Sequence, residues 1–254
     1  MSEDTEPPWL SIITVVKDDP IGFERTRSSV LSQTLRNFEW VVVDSSEEKL
    51  SVVGVDLYLW SEPQGIFSAM NVGLNACMGS RVLFLNAGDV LNEMNTISQI
   101  HEFVSMNSQA KVLYGDVCFV SEDGITSITP PPFDFDLERS RKFSAGRFPP
   151  HQGLLAPRET LIELRGFDES YKIASDYKST LLLSEQVEFE YLPLVVTRFT
   201  LGGVSSKCWR ESLREFHRAR VEVYGLSGPS RLSSALSSLL QFLKMLAASA
   251  GNPM

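Results

Sequence analysis

Four places in the sequence set oxygen- or nitrogen-bearing side chains at the ends of apolar runs, where a folded chain can present them to a ligand. In VVVDSS, Asp44 is followed by Ser45 and Ser46. A carboxylate there can accept hydrogen bonds from a nucleotide base or ribose, and it can equally cap a helix or close a turn. In LNAGD, Asn86 and Asp89 sit just past a buried run. Hard cations take oxygen ligands and share one or two carboxylates with substrate phosphates, so Asp89 could hold Mg²⁺ or Mn²⁺ against a diphosphate; otherwise the segment is a polar turn. His151 and Gln152 precede another apolar run, as ligand contacts or as structural donors. Asp176 falls in the first turn of an expected helix, where the helix dipole favours an acid whatever its use. A carboxylate facing a crevice is also what a general base needs to take a proton from an attacking hydroxyl.

The elements that must position these groups follow from the apolar spacing. Leu10 to Val16 is a β-branched run, Ile21 to Leu35 has helical spacing, and Phe38 to Val43 is apolar almost throughout, the pattern of a strand covered on both faces. This β-α-β opening predicts a parallel sheet whose ligands lie beyond the carboxyl ends of its strands, which would bring Thr14, Lys17, Asp44 and Ser45 to one crevice. The alternation continues with a strand at Leu57 to Trp60, a helix at Gly65 to Cys77, and a strand at Arg81 to Leu85. A helix at Thr96 to Met106 and a strand at Val112 to Val120 follow. Asn71, Gly73 and Gly79 interrupt or follow a good helical pattern and call for a reason such as close backbone approach. Ser121 to Pro150, rich in Pro, Asp, Phe and Arg, reads as a long loop or a change of topology, of the kind that often carries function, and bears Arg139, Arg141 and Arg147. Beyond it come a short apolar strand at Gly153 to Ala156, helices at Arg158 to Leu164 and Ser175 to Leu183, and a strand at Phe189 to Arg198.

With 254 residues, 43% of them hydrophobic, the chain can bury one α/β core with a single active site. A net charge of -9 argues against nucleic acid as partner, since phosphate binding is driven by Lys and Arg. Three scattered cysteines suggest neither a disulfide framework nor a zinc site and fit a reducing cytosol. Residues 1–8 read as a disordered leader, since acid and proline stand where a secretory signal would be basic and then apolar. No run is long enough to span a bilayer. In the tail, residues 226–254, Leu232, Leu236, Leu239, Leu243 and Leu246 recur at three- and four-residue steps, an amphipathic helix that can pack on its own domain, on a second subunit in a homodimer, or on a membrane surface.

The order and joint presence of SIITVVKDD, VVVDSS, EPQGIFSAMNVGLNACMGSRVLFLNAGD and HQ…GFDESYKIASDY resemble glycosyltransferase family 2, in the branch that makes bacterial surface polysaccharides and glycolipids. The match runs from Leu10 to about Ser205. The resemblance implies a GT-A fold over residues 9–225: a mostly parallel central sheet flanked by helices, with a nucleotide-sugar-binding half at 9–120 and an acceptor-binding half at 121–225. It implies inverting transfer from a UDP, GDP or dTDP sugar to the hydroxyl of a saccharide or lipid-linked acceptor, in the cytoplasm or at the inner face of the cell membrane. Carried over by position, Thr14, Val16, Asp44, Ser45, Gly65, Asn71, Asn86 and Ala87 would line the nucleotide, Asp89 would hold a divalent metal, and Asp176 would be the base. His151, Gln152 and Arg218 would contact the acceptor or diphosphate. The helix bearing Arg210, Arg214, His217, Arg218 and Arg220, after a GGVS turn at Gly202 to Ser205, reads as a diphosphate clamp or as a solvated basic face. The chain departs from the family in keeping only one acid at Asn86 to Asp89, and in having Gln64 and Ser68 where acids are frequent.

Other classes are less well supported. The first strand is followed by VVKDDP, neither the Gly- and Lys-rich phosphate loop of a nucleotidyltransferase nor the G-x-G-x-x-G of a dinucleotide oxidoreductase. A non-catalytic relative that binds a sugar nucleotide or scaffolds an assembly is the alternative that the depleted acidic motif leaves open.

Overall fold

The structure is a computed structural model that describes residues 7–106, 111–120, 124, 126–128, 148–200, 208–236 and 240. Residues 1–6 of the expected leader, Arg139, Arg141 and Arg147, the GGVS turn, and most of the tail beyond 236 lie outside the described residues.

The fold is α/β, as expected. Its elements in chain order are β1 (Leu10–Val16), α1 (Pro20–Leu31), β2 (Glu39–Asp44), β3 (Leu57–Trp60), α2 (Ile66–Ala76), β4 (Arg81–Phe84), β5 (Val90–Leu91), α3 (Thr96–Met106), β6 (Val112–Val120) and β7 (Thr126–Ile128). A 3₁₀ turn (His151–Gly153) then leads into β8 (Leu154–Pro157), α4 (Arg158–Glu163), α5 (Ser175–Gln186), β9 (Phe189–Thr200) and α6 (Trp209–Tyr224). One sheet has the order β3-β2-β1-β4-β8-β6-β9-β5, with β7 beside β6. β1 to β4 are parallel; β8 is antiparallel to both β4 and β6; and β9 runs with β6. All strands except β5, β7 and β8 therefore point the same way, a mostly parallel sheet shared by both halves of the chain.

The central strands have no polar face because helices cover both sides. On β1 and β2, Ile13, Val15, Val41 and Val43 point to a core closed by Phe67, Met70 and Leu74 of α2 and Tyr177 and Leu181 of α5. Leu10, Ile12, Val16, Trp40 and Val42 point the other way, onto Phe23 and Val30 of α1 and Ile97 and Ile100 of α3. This is the two-residue period of a strand with both faces buried. The helix pattern around Gly73 has its explanation here: a Cβ at that position would lie 2.5 Å from Ile13 Cγ2 and 3.2 Å from Val43 Cγ2. α2 thus rides directly on the sheet, and no larger residue fits. α1 begins where Asp19 Oδ1 accepts a hydrogen bond from Gly22 N at 2.8 Å and Pro20 occupies the first turn.

Parallel pairing sends the carboxyl ends of β1 to β4 to one edge of the sheet. In the β4–β8 register, Leu83 pairs with Leu155 and Arg81 with Pro157, so the residues before Leu154 lie beside those following Phe84. This antiparallel step brings the His151 turn to the Asn86–Asp89 turn.

Candidate active site

Past β4, the turn from Asn86 to Asp89 is closed by Asp89 N donating to Asn86 O at 3.0 Å and is tied to β1 by Ala87 N donating to Val15 O at 3.1 Å. Thr26 of α1 fixes it from below: its hydroxyl lies 2.7 Å from Asp89 O and 3.0 Å from Gly88 N, which donates to it. The carboxylate of Asp89 is thereby held in a buried position, 4% exposed. Burial pushes its pKa up to about 7, against the charge of His151, the Asn86 N–H and the charge of Arg25, which pull it down.

His151 lies between two carboxylates. Its Nδ1 is 2.9 Å from Asp176 Oδ2, and it interacts electrostatically with Asp89. Burial acts to lower the imidazole pKa, and the hydrogen bond to Asp176 with the charges of Asp176 and Asp89 outweighs it, so the value is raised. Both members of the His151–Asp176 pair keep only 19% of their side-chain surface exposed. Three buried polar atoms here have no partner among the described residues: Asn86 Oδ1, Asp89 Oδ2 and His151 Nε2. Orphaned polar atoms gathered in one place are costly in a folded protein unless a ligand or solvent meets them.

Asp176 is positioned from outside its own helix. Glu215 of α6, itself 8% exposed, accepts hydrogen bonds from Lys172 N at 2.8 Å, Ile173 N at 2.9 Å and Ala174 N at 2.8 Å, the three residues before α5. The loop before them is tied to α2. Asn71 Nδ2 donates to Phe167 O at 2.8 Å while Phe167 N donates to Asn71 Oδ1 at 2.8 Å. Gly166, at φ +65, leaves room for the Asn71 carboxamide, which a side chain there would strike. Nothing in the sequence marked Thr26 or Glu215, because each acts through backbone atoms distant in the chain.

The remaining expected site residues are placed as follows. Thr14 is fully buried, its hydroxyl accepting from Trp40 Nε1 at 3.0 Å. Val16 is buried, and its carbonyl accepts from Ser45 N at 2.9 Å. Asp44 is also fully buried and organises its own loop: it accepts from Ser46 N, Leu50 N and Tyr58 Oη at 2.9, 2.8 and 2.7 Å. Burial opposes its charge, and these hydrogen bonds outweigh burial, so its pKa is lowered. Ser45 Oγ is 3.1 Å from Ser61 Oγ. Gly65, at φ 120, is the N-cap of α2 and offers no side-chain acceptor to the first N–H groups of the helix. Ala87 lies in the turn that orients Asp89, and Gln152 is buried, its carbonyl accepting from Thr197 Oγ1 at 3.1 Å. Arg218 is engaged structurally: it donates to Glu222 Oε1 at 2.6 Å and Ser170 Oγ at 2.8 Å and lies 4.2 Å from the centre of the Tyr171 ring. The solvated-face reading of its helix does not hold for Arg220, which is fully buried.

Asp89 and Asn86 offer hard oxygen donors at one turn, with Asp89 Oδ2 and Asn86 Oδ1 both unpartnered, a set that fits a Mg²⁺ or Mn²⁺ ion completed by diphosphate oxygens and water. Among the described residues no group of three or more His, Cys, Asp or Glu gathers to hold a metal, so these residues do not form an all-protein cage.

The fold, a mostly parallel sheet flanked by helices, is of the kind seen in glycosyltransferase structures. Comparison with known proteins agrees. Over 213 residues the chain is 29% identical to an uncharacterized glycosyltransferase of Mycobacterium tuberculosis, covering 80% of this chain and 79% of the relative. It is 26% identical over 212 residues to a PGL/p-HBAD biosynthesis glycosyltransferase of Mycobacterium bovis, covering 78% and 80%. No family model matches. Among solved structures, S. aureus TarS superposes with a TM-score of 0.63 at 20% identity, over 92% of this chain and 42% of that one. TarS 1-349 in complex with UDP-GlcNAc gives 0.61 at 18% identity, over 84% and 66%. The mannosyltransferase PcManGT from Pyrobaculum calidifontis, in complex with GDP-Man and Mn²⁺, gives 0.63 at 14% identity, over 98% and 77%. The chain is a homologue of curated mycobacterial glycosyltransferases, and its fold is like that of solved glycosyltransferase structures.

Proposed function

We propose that the chain is an inverting glycosyltransferase of hexosyltransferase type, moving a sugar from a nucleoside diphosphate sugar to the hydroxyl of a saccharide or lipid-linked acceptor. The observation that carries the reading is the line Asp89–His151–Asp176 at the carboxyl edge of the sheet, with three buried polar atoms unpartnered beside it.

In this reading, Asp176 takes the acceptor proton as the acceptor oxygen attacks the anomeric carbon from the face opposite the leaving diphosphate; one displacement inverts the configuration. His151 holds Asp176 Oδ2, so the carboxylate has a fixed orientation and a second oxygen with which to accept the proton. Asn86 and Asp89 would hold the divalent cation, whose chemistry is to neutralise charge on the departing diphosphate. UDP-GlcNAc and GDP-Man in the structural neighbours, and Mn²⁺ in one of them, support a nucleotide-sugar donor with a divalent ion. Among the mycobacterial relatives, those named for PGL/p-HBAD biosynthesis are consistent with a lipid-linked acceptor, which would place the reaction in the cytoplasm or at the inner face of the membrane.

Thermal unfolding with UDP, GDP, dTDP or CMP, each with Mn²⁺ or with EDTA, tests the reading, since a ligand that binds only the native state raises its midpoint. A shift from one nucleoside diphosphate, together with sugar transfer to an acceptor that Asp176→Asn abolishes, is expected. Binding without turnover would assign the chain to the non-catalytic class, and no shift with any nucleotide would overturn the donor site.

A further inference from the structure

Beyond the donor and acceptor chemistry, the described residues include an apolar surface that the domain itself does not cover. After Gly225 ends α6 in a left-handed conformation, residues 228–236 form a helix, with residue 240 again helical. Ser234 pins this helix to α6: its Oγ receives Arg220 Nε at 2.8 Å and lies 3.1 Å from His217 Nδ1, and its carbonyl receives Arg220 Nη2 at 3.1 Å. At 3.6 residues per turn, Ser234 lies about 160° round the helix from both Leu232 and Leu236. The leucines therefore face away from the domain, and Leu232, Leu236 and Leu240 are 74%, 56% and 51% exposed. On the described helix, Leu232 and Leu236 stand one above the other in a stripe, about 40° apart, and Leu240 is exposed beyond it.

The composition around the stripe identifies what covers it. In a chain with 32 acids, no Asp or Glu occurs from Gly225 to the end, while Arg231 and Lys244 are both basic. The polar positions between Leu232 and Leu240 are serines: Ser233, Ser234, Ser237 and Ser238. Helix pairs are often registered by complementary charges flanking the apolar seam, and this segment carries no acid to pair with its own Arg231 and Lys244. A lipid surface needs no register, accepts leucines into its acyl boundary, and attracts cations if anionic. Arg231, beside Leu232 in the chain, is exposed and adds positive charge there. We propose that this leucine stripe docks the protein on an anionic phospholipid bilayer, held at a fixed orientation to the domain by the Arg220–Ser234 anchor.

The test is co-sedimentation of the full chain with phosphatidylglycerol–phosphatidylcholine vesicles, independent of any transferase activity. Wild type is expected to partition onto the vesicles, and the triple variant Leu232→Ser, Leu236→Ser, Leu240→Ser to lose about tenfold or more in partition with its unfolding midpoint unchanged. Failure of the wild type to sediment with vesicles, or equal binding by the triple variant, would overturn the proposal. Sedimentation equilibrium gives the other outcome: a wild-type dimer that the triple variant converts to monomer, without vesicle binding, would make the stripe a contact between two copies.

Discussion

His151 Nδ1 stands 2.9 Å from Asp176 Oδ2, and Asp89 acts electrostatically on the same imidazole from the turn after β4. Three segments remote in the chain thus share one ionisable centre. Because both acids raise the pKa of His151, activity should carry an inflection above the 6.5 of an ordinary histidine. Replacing His151 with Gln should remove that inflection, whereas Asp176→Asn should lower kcat roughly a hundred- to ten-thousand-fold with nucleotide binding retained. The pH–rate profiles of the two variants, measured beside a nucleotide thermal shift, check this. An unchanged profile in His151→Gln would remove the imidazole from the chemistry.

Asp89 is a source of instability that the site retains. Its carboxyl rises from 3.8 to about 7 through burial, so the folded chain holds this proton more tightly than the unfolded chain does. The associated stability is complete below pH 3.8 and is lost as pH rises toward 7, amounting to at most about 4 kcal/mol. The raised pKa of His151 acts in the same direction. Asp89→Asn should therefore unfold several degrees above wild type at pH 8, with the gap closing at pH 4. It should also lose the Mn²⁺-dependent part of any nucleotide-induced shift. Melting curves across that pH range read both effects.

The α/β alternation was legible because β1, β2 and β4 are mostly apolar and buried on both faces while their helices repeat at 3.6 residues, two periods that survive in any tertiary setting. β5 and β7 left no such signal: two and three residues are too short for a period to register. Candidate polar residues were visible by type, but not by orientation. Asp44 ends β2 while Thr14 lies two residues inside β1, and the side chain of Thr14 meets Trp40 while that of Asp44 closes its own loop. The pairing of His151 with Asp176 depends on β8 running antiparallel to β4, and strand direction is not written in apolar spacing.

Asn71 separates a nucleotide contact from a structural latch. Its carboxamide is matched to the backbone of Phe167 at 2.8 Å in both directions, across 96 positions of sequence. Asn71→Ala should cost about 1 to 3 kcal/mol in urea unfolding, because Phe167 would lose both partners in a partly buried place. Gly166→Ala should destabilise comparably, since its φ of +65 is strained for alanine and the added methyl strikes the same carboxamide. If Asn71 is the latch, the residual folded protein binds nucleoside diphosphate as wild type does. A selective loss of nucleotide affinity at unchanged stability would instead return Asn71 to the donor site.

Glu215 should act on the reaction through Asp176 without touching either substrate. Its carboxylate gathers three consecutive N–H groups at 172–174, and the chain they belong to enters α5 one residue later, with Asp176 in the first turn. Removing the acceptor leaves three donors unmatched and lets the helix start drift, and a displacement of about 1 Å in a catalytic group can cost roughly a hundredfold in rate. Glu215→Ala is expected to lower kcat by about that factor while the KM for the donor stays put, because the donor turn at Asn86 to Asp89 is built on β4 and α1. Glu215→Gln keeps an oxygen of the same reach but loses the second acceptor and the charge, so its kcat should fall between wild type and alanine. Equal losses in the two variants, or a rise in donor KM with kcat unchanged, would show that α6 does not set the position of Asp176.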